Sequence, residues 1–261
     1  MTLVVGAASA LHLSGSGHED GAAATAAAKV RATPARASVP SAATPDRLRP
    51  NRLAGRAGAA TGDGALPGLG SAMLARIPRE ALQVILVSGP DRDANTNSVT
   101  LWQRASPVAP WTALGAPITG RNGQYGWTTT HHEGDLRSPI GVFSLTAAGG
   151  RLPDPGTGLP YEYRPTFYRT AAPQGLPMAD AFNYVVAIDY NRLPGQPPSD
   201  PTRPLGDDVG GDIWLHVDHR TPTRGCVAVQ QDALASIMRW LTPRAHPMIV
   251  MGDAAELDLE T

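Results

Sequence analysis

Residues 213–229 carry the only cysteine of the 261-residue chain, Cys226, together with two of its seven histidines, His216 and His219. A thiol attacks carbon only as its thiolate, and an unperturbed cysteine with a pKa of roughly 8.5 is mostly protonated near neutral pH. A neighbouring base or fixed cation is therefore required. His216, His219 and Arg224 are the groups on offer. Gly225, immediately before the thiol, lets the backbone approach a substrate closely. Backbone N–H groups at Gly225 and Cys226 can then face a developing oxyanion. This composition points to a cysteine nucleophile, with histidine as general base.

The same residue types also have plainer roles. A lone cysteine is among the most often buried residue types and can be plain core filling. His216, His219 and Cys226 are three possible metal ligands, but zinc wants four, or three and a water, and the spacing matches no common pattern. His131, His132 and Glu133 also invite a metal argument. Adjacent residues of an extended chain point to opposite sides, so a solvated loop accounts for them.

The elements that must position these groups follow from periodicity. Ile213 to Val217 alternates as a strand, which sets Trp214, His216 and Asp218 on one face and Ile213, Leu215 and Val217 on the core face. His216 is the preferred base. Asp218 can orient its ring as an acid does in a triad, and His219 is the competing base. A short loop is expected to turn back after His219, and a second short strand to deliver Cys226. Gln83–Ser88, 98–104, 111–118, 142–146, 183–191 and 247–251 read as further strands. Gln231–Leu241 reads as the one clear helix, with Leu234, Ile237, Met238 and Leu241 at helical spacing and Pro243 ending it. Residues 147–181 form a long Pro/Gly/Tyr-rich segment. There Tyr161, Tyr163, Phe167 and Tyr168 suggest an ordered flap or cleft wall. The class is mainly β.

Residues 1–75 are rich in Ala, Gly, Pro and Ser, too poor in large apolar side chains to offset conformational entropy, and read as a disordered leader. The mildly apolar start, with Ala8-Ser9-Ala10, is either the end of a signal sequence or an ordinary terminus; no basic region precedes it. Residues 76–252 form the folded domain and 253–261 a frayed acidic tail. The net charge of -1 and the absence of a Lys/Arg-dense patch give no footprint for nucleic acid. No apolar run of transmembrane length is present.

Leu215-His216 followed by Thr223-Arg224-Gly225-Cys226-Val227 resembles the signature of the L,D-transpeptidase catalytic-domain (YkuD-like) family, an apolar-His segment and then Ser/Thr-His-Gly-Cys. Upstream, Ser138-Pro139-Ile140-Gly141-Val142-Phe143 resembles that family's Thr-Pro-x-Gly-x-Phe segment. The resemblance spans about residues 76–252. It implies a sandwich-like β fold with a cleft and one main helix after the cysteine. It assigns Cys226 as nucleophile, His216 as base, and Gly225 and Thr223 as motif residues. It also implies an exported, cofactor-free enzyme that cross-links peptidoglycan stem peptides through a thioester and is acylated by carbapenems. Arg224 stands where the family usually has histidine, Ala228 where Asn or Arg is common, and the His-to-Cys spacing is short. Arg224 can lower the thiol pKa or bind a substrate carboxylate. A cell-wall cysteine peptidase or amidase using water, and a non-catalytic cell-wall binding module of the same fold, are the alternatives.

Overall fold

Gln83–Gly89 is a run of Val, Ile and Leu without polar alternation, the pattern of a strand covered on both faces. It forms β1, buried along almost its whole length. The computed structural model describes residues 65–167 and 180–261. The remaining strands are β2 (Thr96–Gln103), β3 (Thr112–Arg121), β4 (Trp127–Thr128), β5 (Ser138–Pro139), β6 (Gly141–Ser144) and β7 (Ala148–Gly150). They continue with β8 (Tyr161–Tyr163), β9 (Val185–Ala187), β10 (Trp214–Val217), β11 (Val227–Val229) and β12 (Met248–Asp253). The helices are α1 (Ser71–Leu74), α2 (Gln231–Trp240) and α3 (Ala254–Leu257).

The class is mainly β. Ten strands form one mixed sheet, curled into a half-barrel, in the order β6-β12-β1-β2-β3-β11-β10-β9-β7-β8, and β4 pairs with β5 in a separate ribbon. β1 and β12, β10 and β11, and β7 and β8 run parallel; the other pairs of the large sheet are antiparallel. α2 carries the chain from β11 near the middle of the sheet to β12 near its edge. It buries Leu234, Ile237 and Met238, with Leu241 just past its end also in the core. Leu241 is already extended, and Pro243 opens a short 3-10 turn instead of continuing the helix. No helix among the described residues is long and apolar enough to cross a membrane.

The structure departs from the periodicity in four places. The connection 218–226 does not turn back. It leaves the sheet and re-enters so that β11 lies parallel to β10. The strand expected over 183–191 is only Val185–Ala187, because Asp189 leaves the ladder. Its carboxylate takes the hydroxyls of Ser144 (2.6 Å) and Thr146 (2.8 Å) and pairs with Arg192 at 3.3 Å. The folded domain starts well before residue 76, since Leu66, Leu69 and Met73 are all in the main core. The acidic end is anchored instead of frayed. Asp253 caps α3 through Ala255 and Glu256 N–H groups, Leu257 is buried, and the carbonyls of Leu257 and Leu259 accept from Gly70 and Ala72. Within the segment read as a flap, Phe167 is buried and Tyr161 donates to the Leu152 carbonyl at 2.7 Å, while Tyr163 is exposed. Tyr168 lies outside the described residues.

Leu66 is 1% exposed although composition assigns it to the leader. Leu66→Ala is expected to lower unfolding free energy by about 2–5 kcal/mol, the usual cost of emptying a buried leucine site. A denaturant midpoint that does not move would mean that residues 65–75 are not part of the cooperative unit.

Candidate functional site

Leu215 pairs with Val227, His216 with Ala228 and Val217 with Val229. Continuing that register sets Cys226 opposite Trp214, in keeping with the Trp214 N–H pointing at Sγ from 3.4 Å. Paired residues share a face of a sheet, and side chains alternate along each strand. Trp214, His216, Cys226 and Ala228 therefore all project from one face. His216 and Cys226 are diagonal neighbours on adjacent strands. Leu215, Val217, Val227 and Val229 project into the main core from the other face. Ala228, where a larger residue would crowd the ring beside it, leaves the imidazole room.

The thiol-bearing face has its own small core. Phe167, Val185, Ala187 and Trp214 are buried together, with Phe182 and Cys226 packed against them. Phe167 and Phe182 lie 5.4 and 5.6 Å from the Trp214 ring, and Phe182 is 5.5 Å from His216. His216 is 2% exposed. Its Nδ1 lies 2.9 Å from the Val217 carbonyl. A carbonyl can only accept, so Nδ1 carries the hydrogen and Nε2 keeps the lone pair of a base. The orienting group is thus a backbone carbonyl. Asp218 does not take that role: its Oδ1 accepts from Arg121 Nε (3.2 Å) and from the Arg220 N–H (2.9 Å). His219 stacks on His216, with ring centres 5.5 Å apart and planes 3° from parallel, and its Nδ1 lies 2.7 Å from the Thr221 hydroxyl.

Burial decides the ionisation of both partners. It pushes His216 down to about 4, opposed by the Val217 and Ala181 carbonyls and the Asp218 charge, while His219 acts in the same direction as burial. It pushes the Cys226 thiol up to about 12, with the Trp214 N–H opposing. Cys226 nevertheless keeps some accessible surface and is half-buried. Neutral pH therefore finds a neutral imidazole beside a neutral thiol. The sulfur donates to the Asp212 carbonyl at 3.4 Å, and no hydrogen bond joins it to either histidine.

The turn before the thiol is clipped by hydroxyls. Thr223, buried, donates to the Cys226 carbonyl at 2.6 Å and accepts from the Gly225 N–H at 3.2 Å. That N–H is therefore occupied and not free for an oxyanion, which leaves the Cys226 N–H as the nearer donor. Ser138, fully buried on β5, donates to the Gly225 carbonyl at 2.7 Å and accepts from Gly123 N–H at 2.9 Å. Gly225 has φ +142, and a Cβ there would lie 3.1 Å from both the Arg137 carbonyl and Ile213 Cδ1. Only glycine fits that bend without strain. Arg224 is exposed and makes no ion pair among the described residues.

Residues that periodicity did not single out support this turn. His131 is not in a solvated loop: its side chain is 4% exposed and its Cε1 would lie 3.5 Å from a Gly225 Cβ. Its Nδ1 is 2.9 Å from Asp135 Oδ1, close but off the line of a good N–H···O bond. Burial lowers the His131 pKa against the opposing pull of Asp135. Asp212, φ +53, holds the thiol-accepting carbonyl, and its carboxylate is tied to Arg203 at 3.3 Å. A His-His-Glu spacing carries no sign of burial, and nothing local marks Asp212. Ser138 was visible as a motif residue, though not as a clip. Among the described residues, no group of three or more His, Cys, Asp or Glu side chains is arranged to hold a metal ion. Comparison with protein-family models, with curated proteins and with solved structures finds no match.

Two measurements check this packing. Ser138→Ala leaves the Gly225 carbonyl and the Gly123 N–H buried without partners and is expected to cost about 1–3 kcal/mol in chemical unfolding. For His216, a depressed folded pKa means stability complete above the unfolded value of 6.5 and lost as pH falls toward about 4. The loss is on the order of 3 kcal/mol. The fall in melting temperature between pH 7 and pH 4 should be visibly smaller in His216→Gln, and equal falls would mean that His216 titrates normally.

Proposed function

We propose that this chain is a cysteine acyltransferase of the L,D-transpeptidase type, acting on peptidoglycan stem peptides in the cell envelope. One observation carries it: His216 and Cys226 share a sheet face as diagonal neighbours, and the Val217 carbonyl holds the Nδ1–H tautomer that leaves Nε2 basic. In this reading the curled sheet is a transpeptidase-type catalytic domain, the Phe182–Trp214–Phe167 cluster is a wall of its cleft, and the leader is the exported protein's spacer.

Both partners start neutral, so proton transfer accompanies attack instead of preceding it. Substrate entry draws the sulfur from the Asp212 carbonyl toward His216. Nε2 takes the thiol proton as sulfur bonds to the carbonyl carbon of the donor stem's third residue. The Cys226 N–H faces the oxyanion. Collapse breaks the C–N bond. The imidazolium gives its proton to the departing D-alanine amine, leaving a thioester. The acceptor amine then loses a proton to the same Nε2 as it displaces sulfur, and the thiol is restored. Water in place of the amine gives the peptidase outcome. Arg224, exposed two residues before the sulfur, is available to a stem carboxylate.

A second reading is favoured by one observation. A thiol pushed up to about 12 and bonded to backbone is also what an inert binding module would carry. Intact-mass measurement separates the two. A carbapenem should add once to the folded protein, on Cys226, and not at all to Cys226→Ser. His216→Ala should slow acylation by roughly 100-fold or more, in the range of general-base effects, and His219→Ala by far less. A folded protein that resists both carbapenem and iodoacetamide, while the denatured chain alkylates, would leave only the inert module.

A further inference from the structure

The segment leading into β10 holds the sulfur of Cys226. The thiol donates to the Asp212 carbonyl and accepts from the Trp214 N–H, each at 3.4 Å. Only a protonated thiol can donate. Ionisation would break the first bond and leave a negative sulfur against a carbonyl oxygen, so the position of that carbonyl favours the neutral thiol. Asp212 does not take that position freely. Its φ of +53 lies in the left-handed region, which a residue with a Cβ adopts at a cost. Such a conformation persists where surrounding contacts over-determine it. The two residues before it, Gly210 and Gly211, bring no stiffness of their own. Side chains from elsewhere must therefore fix the segment.

They can be identified. His131 lies against Gly210, its Nε2 2.9 Å from where a Cβ would be. Asn191 donates to the Gly210 carbonyl and Tyr190 to the Val209 carbonyl. These three hold the backbone as far as Gly210. Arg203 takes hold of Asp212 itself. It lies across Gly211, where a Cβ would meet its Nε at 2.8 Å, and its terminal nitrogens reach Asp212 Oδ2 at 3.3 Å and Glu133 Oε2 at 2.9 Å. The chain of contacts thus runs from the exposed Glu133 through Arg203 and Asp212 to the sulfur. We propose that Glu133, Arg203 and Asp212 form a latch that keeps the Cys226 thiol bonded to backbone and unreactive in the free protein, with Arg203 as its positioning residue. The latch needs no substrate, so it goes beyond the acyltransferase reading and does not rest on it.

Charge alone makes the opposite prediction for Arg203. The ionisable groups around the sulfur, among the described residues, are Asp212 on its own segment, Arg203 and Glu133 beyond it, Arg224 two residues before the thiol, and His216, neutral near pH 7, on the same sheet face. Without the guanidinium, the Asp212 and Glu133 carboxylates stand unneutralised, which disfavours a thiolate and slows its reactions. A latch that lets go speeds them.

The test is iodoacetamide alkylation of the full-length chain, followed by intact mass from about pH 7 to pH 10, where the thiolate fraction sets the rate. Arg203→Gln should alkylate Cys226 roughly tenfold faster than the unsubstituted chain and at lower pH, the effect of losing about one net hydrogen bond to the neutral thiol. Arg203→Lys keeps the charge without the two-pronged grip and should fall between them. The gain should hardly change with urea below the unfolding transition, because a local release exposes little surface, whereas exposure through global unfolding climbs steeply. An Arg203→Gln rate equal to or below that of the unsubstituted chain, or a gain that climbs with urea, overturns the latch. A carbapenem that fails to acylate the unsubstituted chain would remove the acyltransferase and leave this comparison standing.

Discussion

The parallel pairing of Trp214–Val217 with Val227–Val229 is the constraint on which the rest of the site depends. Because the two strands run the same way, the residue entering one lies beside the residue entering the other. Cys226 meets Trp214, and His216 lies two residues on. Such a connection cannot be a hairpin. The 218–226 segment has to leave the sheet and return, and it needs outside anchors. Asn122 and Gln124 exchange backbone hydrogen bonds with Thr223, and Ser138 holds Gly225. The Ser-Pro-x-Gly segment and the cysteine motif are thus two halves of one turn.

The surroundings of that turn set the chemistry through desolvation. An aromatic cluster on one face and the main core on the other leave little water near the imidazole or the thiol. Low dielectric penalises whichever form is charged, so the pair rests as two neutral groups. The arrangement is quiet in the free protein. The same low dielectric strengthens any dipole aimed at a charge placed there. Two ion-paired carboxylates still act on the pair: Asp218, held by Arg121, opposes the fall of His216, and Asp212, held by Arg203, adds to the rise of Cys226.

Much of the fold was legible locally. β1, β2, α2 and β12 follow from apolar runs and helical spacing, because each buries a face whose period its own sequence carries. Pro243 and Gly225 are legible for the same kind of reason, as backbone restrictions that need no partner. The two ends of the domain were not. Leu66 and Met73 sit in a stretch of poor composition, and the acidic terminus looks solvated. Each is held by the other, Gly70 and Ala72 bonding the carbonyls of Leu257 and Leu259. Contacts between residues almost two hundred positions apart leave no mark in a local window.

By itself, the sequence determined that His216 lies on a strand, that its neighbours Leu215 and Val217 face the core, and that a glycine precedes the only thiol. These are properties of a residue and its nearest neighbours. Tertiary structure alone decided that β11 runs parallel to β10 and that the orienting acceptor is the Val217 carbonyl instead of Asp218. It also decided that His131 is buried against Gly225 and that the Asp212 carbonyl lies against the thiol. Register between strands distant in sequence depends on which apolar faces bury together and on which charged groups meet. Periodicity records which way a side chain points, and the assembled sheet settles what it points at.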